Sequence, residues 1–339
     1  MKNAVLFMPY HKTYPPSLLK DEKGKKLLDV VQRFLPSINT ANPSTDLEDF
    51  IECYIQLQAV SKISNDEDIY IFNHNENTFK NIHNKEIDFN EYERVVFTGV
   101  YPKYRLLPDS NKLISSNKEV LLAEKYYNLE TFKKYAGRNI LIGSFDRDND
   151  HYDDIMKSLN DGNYLIKTCA TKYMPLIPFS ITDRKLFVDK DMMDSLLLAS
   201  VHMEGSKDGV IIQDDIKMYY EYRLIVVDNE IVSGAACIEE FTPFDRISDD
   251  VYDPQLRKIR GNNDIINNKD SAEVIEKYKN VCPQIVSEFK NEIPDMKNYI
   301  MDVFIDEFGD VGIVELNPFR NFGLYANDYN KVAKKLLKD

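Results

Sequence analysis

The stretch YIMDVFIDEFGDVGIVELNPF, residues 299–319, decides how this chain is read. Two apolar runs flank a polar segment around Gly309, so the stretch is predicted to form an antiparallel hairpin turning over residues 306–310. Side chains alternate between the faces of a strand. Asp302, Phe304 and Asp306 therefore share one face of the first strand, and Ile313, Glu315 and Asn317 share one face of the second. Asp302 and Glu315 are expected to look into the same space. Two carboxylates in an otherwise apolar ribbon repel each other and lose hydration, so a cation has to compensate them. Hard oxygen ligands of this kind suit Mg2+, which keeps several waters and is commonly completed by substrate phosphates. Asn317 adds an amide oxygen, and Pro318 ends the strand so that the following chain can turn over a ligand.

A metal site of this design calls for cations that meet phosphate, and the chain upstream offers three. Lys167 closes the apolar run of DGNYLIKT, residues 161–168, where a lysine in a buried strand marks a bound anion or an ion pair. Lys172 follows in KTCATKYMP; on its own each lysine also fits a snorkelling surface residue. In EYRLIVV, residues 221–227, Glu221 and Arg223 share one strand face, and the planar fork of Arg223 matches phosphate or carboxylate oxygens. Glu221 either helps to hold the cation or pairs with Arg223.

Farther out, alternation of short apolar runs with a helical pattern indicates an α/β lobe at the N-terminus. Strands are expected at residues 3–9, 68–73 and 94–100, with a helix over 47–60. No GxGxxG follows the first strand, so this lobe is expected to shape a substrate pocket and not to bind a dinucleotide. Ser116 or Asn117 as an N-cap and Gly137 as a stop predict one helical region over the segment between them. Further strands are expected at 139–145, 163–168, 209–214, 219–228 and 230–237, and helices at 191–202 and 271–291. The Asp228-Asn229 dipeptide between apolar runs predicts a tight hairpin turn. The acidic run at 146–154 lacks the glycine and distal glutamate of a calcium loop and reads as solvated surface. The polar segment 247–270 is expected to form a loop over a site.

Composition limits the alternatives. The 339 residues, 43% hydrophobic, suffice for two or three lobes around sizeable cores. No apolar run is long enough to span a bilayer and the start turns polar early, so a cytoplasmic protein is expected. A net charge of −13 disfavours broad electrostatic affinity for nucleic acid. Cys53, Cys169, Cys237 and Cys282 lack paired metal-ligand spacing and are expected to be reduced. The histidines His11, His74, His83, His151 and His202 are scattered, with no triad-like context; His11, just after the first strand, is the one placed near the presumed substrate lobe.

Taken in order, the strand lysine of YLIKT, the linker VIIQDDI, the strand YEYRLIVVDNEIVSGA and the closing hairpin resemble the ATP-grasp superfamily over roughly residues 113–337. The resemblance implies an α/β (α+β) fold in which two α+β subdomains, residues 113–208 and 209–339, clasp a nucleotide behind an N-terminal α/β lobe of residues 1–112. It implies ATP and Mg2+ as cofactors. Lys167 then reaches the nucleotide phosphates, and residues 212–216 form the linker that clasps adenine, with Gln213, Asp214 and Ile216 among the base-binding positions and Glu221 beyond them. Asp302, Glu315 and Asn317 correspond to the metal ligands, and Arg223 to the arginine that meets phosphate or acyl-phosphate oxygens. KTCATKYMP has no glycine where many of these ligases have a glycine-rich loop. Lys172 in its place is closer to a phage and bacterial clade named for two arginines and a lysine, with Arg320 as the second arginine.

The implied activity is an ADP-forming ligase that activates a carboxylate of a small acid, amino acid or peptide as an acyl phosphate for attack by an amine or thiol. Two other readings stay open: the same site acting on a nucleobase or nucleic-acid end, and an ATP-binding assembly factor whose tyrosine-rich segments KYYNLE and IKMYYEYR dock a partner.

Overall fold

After Asn3, the N-terminal run NAVLFM is apolar at every position, which is the pattern of a strand covered on both faces. In the computed structural model it is β1 (Asn3–Met8), central in a five-stranded sheet. The structure describes residues 2–9, 22–35, 47–73, 75–99, 113–114, 123–144, 158–168, 177–183, 185–188, 209–236, 251, 268–319, 323–325 and 327–338. The expected helix at 191–202 and the acidic run at 146–154 lie outside these residues, as does nearly all of the loop at 247–270.

Strand β1 lies parallel to β2 (Ile69–Asn73) and β4 (Arg94–Gly99), with β3 (Thr78–Lys80) and β5 (Leu113–Ile114) outermost. Ala4, Leu6 and Met8 pack on one face with Phe72, Phe79, Tyr92 and Phe97. Val5 and Phe7 pack on the other with α1 (Glu22–Phe34) and α2 (Leu47–Ser61). That second core also takes in Ile225, Val227, Ile300 and the apolar stripe of the C-terminal helix. Each buried CH2 in such a core contributes about 0.8 kcal/mol.

By compactness the chain divides into a first unit, Met1–Asn117, Tyr220–Val303 and Asn317–Asp339, and a second, Lys118–Tyr219 and Phe304–Leu316. The first unit thus joins the N-terminal lobe to most of the segment expected as a separate C-terminal subdomain, because one apolar core serves both.

At the carboxyl end of the parallel strands, Gly99 pairs with Met8 and has φ +98°. A Cβ there would lie 2.3 Å from the Met8 carbonyl oxygen, so only glycine fits. Gly99→Ala is expected to cost at least about 1–3 kcal/mol in stability, read as a lower urea midpoint. An unchanged midpoint would contradict the packing of this corner.

The second unit carries an antiparallel sheet in the order β6 (Ile140–Ser144), β10 (Gly209–Asp214), β7 (Gly162–Thr168), β8 (Ile177–Thr182), β9 (Lys185–Val188). The single helix expected before Gly137 is instead two short ones among the described residues, α3 (Ala123–Tyr126) and α4 (Glu130–Tyr135). The amides of Asn128 and Leu129 bond back three residues, to Lys125 and Tyr126, and Leu129 is extended at φ −66°, ψ 139°. That breaks the helical register at Tyr127. Gly137 terminates the region with φ +64°, as its position predicts.

A four-stranded sheet runs β12 (Glu230–Ala236), β11 (Tyr219–Val227), β13 (Tyr299–Ile305), β14 (Val311–Pro318). Asp228 and Asn229 both have positive φ, 51° and 61°, as the two-residue hairpin requires. In the closing hairpin Gly309 has φ +89°, and the Asp306 carboxylate accepts the amides of Phe308 and Asp310 at 2.9 and 2.8 Å. Asp306 therefore shapes the turn. Two helices complete the described chain, α5 (Asn268–Glu292) and α6 (Tyr329–Lys338). The latter buries Tyr329, Val332, Ala333, Leu336 and Leu337, one helical stripe, with Asp328 accepting the Asn330 amide at its start.

Candidate functional site

In the first unit, the alternation of β11 and β13 brings Arg223 against Asp302. Arg223 donates from Nε to Asp302 Oδ1 at 2.8 Å and from Nη2 to Oδ2 at 2.7 Å, a two-pronged fork. Both groups are buried, Arg223 at 7% and Asp302 at 1% exposure. A third donor, Nη1, meets the Gly323 carbonyl at 3.0 Å, and the Tyr325 ring lies 3.9 Å from the guanidinium carbon. Tyr325 itself has φ +53°, an uncommon conformation for a residue of its size. It is held there in part by Glu52, whose Oε1 accepts the Tyr325 amide at 3.1 Å. Asn327 donates to the Arg223 carbonyl at 3.2 Å, so the segment after the closing hairpin packs around the arginine on several sides.

Asn317 donates from Nδ2 to Asp302 Oδ2 at 3.1 Å, which fixes the orientation of its amide. Sequence alternation called for a cation beside Asp302. Within this unit the cation that meets it is Arg223, on a strand 79 residues earlier. Asp302 receives at least these three hydrogen bonds, two from Arg223 and one from Asn317. Glu221 is half-buried on the same strand, two residues before Arg223.

In the second unit the pattern repeats with different residues. Lys167, on β7, places Nζ 3.4 Å from Glu315 Oε2 and 5.9 Å from the centre of the Tyr127 ring. Burial pulls the lysine's pKa down, but the Tyr127 phenol and the Glu315 carboxylate outweigh it, and the net direction is upward. Lys167 is accordingly charged. Arg138, which no pattern in the sequence singles out, lies in the same cluster. It donates to the carbonyls of Ala136, Ile313 and Val314, each at 2.8 Å, and to Gln213 Oε1 at 3.1 Å. Burial lowers its pKa, with Tyr127, Tyr126 and Glu315 acting in the opposite sense.

Of the base-binding positions, Gln213 is buried with its amide oxygen taken by Arg138, which turns the amide NH2 outward from that bond. Asp214 accepts the backbone and side-chain NH groups of Asn139 at 3.0 and 2.8 Å. Ile216 packs near Gly137. Lys172 and Arg320 lie outside the described residues. The metal-ligand trio divides by unit, Asp302 and Asn317 in the first and Glu315 in the second. All three offer hard oxygen donors, and the fixed Asn317 amide is compatible with that use, so the donor chemistry fits Mg2+. Among the described residues no three His, Cys, Asp or Glu side chains converge as a metal cluster. The described cysteines Cys53 and Cys282 are buried in the core and form no disulfide with each other.

No family model matches this chain, and no curated protein matches it in sequence. Solved structures do match. D-cycloserine synthetase DcsG superposes with a TM-score of 0.52 at 11% identity, over 99% of this chain and 99% of that one. The VanG D-Ala:D-Ser ligase from Enterococcus faecalis gives 0.49 at 11% identity, over 99% and 98%. The RimK domain ATP-grasp protein from Sphaerobacter thermophilus DSM 20745 gives 0.45 at 10% identity, over 98% and 100%. The mixed α/β fold is thus the one this chain shares with D-cycloserine synthetase DcsG over nearly the full length of both chains.

Proposed function

We propose that the chain is an ATP- and Mg2+-dependent ligase that activates a carboxylate as an acyl phosphate for attack by an amine or similar nucleophile, forming ADP. The observation that carries this reading is the buried cluster of the second unit. Among the described residues, Lys167 and Arg138 there carry two positive charges against one carboxylate, that of Glu315. A buried excess of positive charge is costly unless an anion joins it, and a polyphosphate supplies one.

On this reading the substrate carboxylate oxygen attacks the γ-phosphorus of ATP and ADP leaves. The amine then attacks the acyl carbon, inorganic phosphate leaves, and the amine gives up a proton. Lys167 offsets charge on the phosphates as the bond to ADP breaks. Arg223, its plane fixed by Asp302 and Tyr325, presents an oriented guanidinium and not a swinging one. Gln213, Asp214 and Ile216 belong to the base-binding linker, and Glu221 lies beyond it. Lys172 and Arg320 are proposed as further phosphate-facing cations, in keeping with the clade named for two arginines and a lysine. Asp302, Glu315 and Asn317 would hold Mg2+. When bound, the ion neutralises phosphate charge and polarises the transferred group. The substrates on this reading are a small acid and an amine.

The test is calorimetry with Mg2+ and a non-hydrolysable ATP analogue, followed by turnover with panels of amino acids and short peptides. Uptake of the analogue, then ADP and phosphate released only when acceptor and donor are both present, is the expected result. No analogue uptake, or release of AMP and pyrophosphate, overturns the proposal.

A further inference from the structure

In the first unit the carboxyl ends of β1 and β4 lie side by side where the parallel sheet changes direction. The chain leaves β1 for β2 on one flank, and β4 lies on the other flank with β5 beyond it. Open α/β sheets take their ligands at such a point. The corner is built around Gln56 of α2. Its Oε1 accepts the Gly99 amide at 2.8 Å and the Thr98 hydroxyl at 2.5 Å. Only the oxygen of a glutamine side chain can receive an amide proton, so the Gly99 bond fixes which way the side chain is turned. Because the Thr98 proton goes to Gln56, the Tyr329 hydroxyl, 3.0 Å away, donates to Thr98. All three side chains are buried, Gln56 at 7% exposure. The two hydrogens on Gln56 Nε2 point away from this network and meet no acceptor among the described residues. Holding the Gly99 amide needs only an oxygen. The NH2 is surplus to that task, and a buried donor without a partner is unfavourable.

We infer that Gln56 is a specificity-determining residue whose Nε2 donates to a neutral carbonyl oxygen of the acid substrate, one outside the reacting carboxylate. The charges around the corner favour a neutral acceptor. Glu52 lies one helical turn before Gln56 on the same face of α2, buried at 9% exposure. Glu52 Oε2 and Arg223 Nη1 flank Gly323, 3.3 and 3.5 Å from where a Cβ on that glycine would stand. Asp302 is paired with Arg223, so the described residues here set one cation against two carboxylates, and a second anionic group on the ligand is disfavoured. Peptides and N-acyl amino acids carry a carbonyl of the required kind. The inference rests on the proposed ligase function and names its acid substrate as a member of that class.

The test is calorimetry with N-acetylglycine and pentanoate as probes, in the presence of Mg2+ and a non-hydrolysable ATP analogue. The two acids have the same chain length, and only the first has a carbonyl beyond its carboxylate. Wild type should bind N-acetylglycine on the order of 10-fold more tightly, the weight of one hydrogen bond that the analogue without it leaves unmade. Gln56→Glu keeps an oxygen for Gly99 and Thr98 and puts a second acceptor where the NH2 was. It should lose the preference while its affinity for the ATP analogue stays at the wild-type value. Gln56→Met should lose the preference as well, and it should also melt lower, because the Gly99 amide then has no acceptor. Equal wild-type affinity for the two acids, including uptake of neither, overturns the inference and leaves the ligase reading standing. So does a preference that survives in either variant. Wild-type protein that takes up no ATP analogue overturns the ligase reading itself, a separate outcome.

Discussion

Lys167→Met should abolish nucleotide uptake at concentrations that saturate the wild type, with the fold intact. Methionine keeps the length and apolar stem of lysine, so the strand β7 packing survives, and only the charge at 3.4 Å from Glu315 is lost. Removing one partner of a desolvated charged contact costs about 2–5 kcal/mol, on the order of 10²-fold or more in Kd. Glu315 is partly exposed, with a side-chain exposure of 25%, so water can take over its solvation and the variant should melt close to wild type. Calorimetry with the Mg2+ complex of an ATP analogue, beside a thermal melt, separates the two effects. Unchanged affinity would mean that the polyphosphate lies elsewhere, and the buried excess of positive charge would then need another anion.

Arg223→Met should have the opposite profile, a large loss of stability whether or not nucleotide is present. The Asp302 carboxylate, at 1% exposure, would lose both prongs of the guanidinium fork and keep the Asn317 amide. Breaking a buried pair from one side destabilises by about 3–5 kcal/mol, because the remaining charge is stranded. Replacing both members, Arg223→Met with Asp302→Leu, removes the stranded charge and should recover most of that loss. The double variant, having lost the Asp302 carboxylate, should recover stability but not Mg2+ binding at this position. Denaturant titration of the single and double variants gives the coupling directly. Equal destabilisation by the single and the double change would show that shape and not charge dominates this site.

The two predictions differ because the two pairs differ in burial, a distinction with no trace in the residue names. Lys167 and Arg223 look alike in sequence, each a cation on an apolar strand. One partner, Glu315, keeps contact with solvent and the other, Asp302, does not. Their exposure is set by what packs over each strand end, including the segment of Gly323, Tyr325 and Asn327 that encloses Arg223.

Several elements were legible from local pattern alone. The strands at residues 3–9, 68–73, 94–100 and 163–168 follow from short apolar runs, and the turns at Asp228-Asn229 and Gly309 from residues that tolerate positive φ. The helix break at Tyr127 was not legible. Residues 116–137 keep good helix formers throughout, and it is tertiary packing of Tyr126, Tyr127 and Phe132 together that favours two short helices. Arg138 was missed for a related reason. Its partners are backbone carbonyls of a strand 175 residues away, and carbonyls carry no signature in a sequence.

By itself the sequence determined the closing hairpin, which of its side chains share a face, and the order of motifs that gives the fold, because strand alternation and turn chemistry are local properties of neighbouring residues. Tertiary structure alone decided which cation answers which carboxylate: Arg223 for Asp302 across 79 residues, and Lys167 for Glu315 across 148. It also brought Arg138 and the Tyr127 hydroxyl to the same cluster. The reason is physical: the energy of a charge or a hydroxyl depends on its distance to partners and its access to water, and both are fixed only when strands remote in the chain are brought into register.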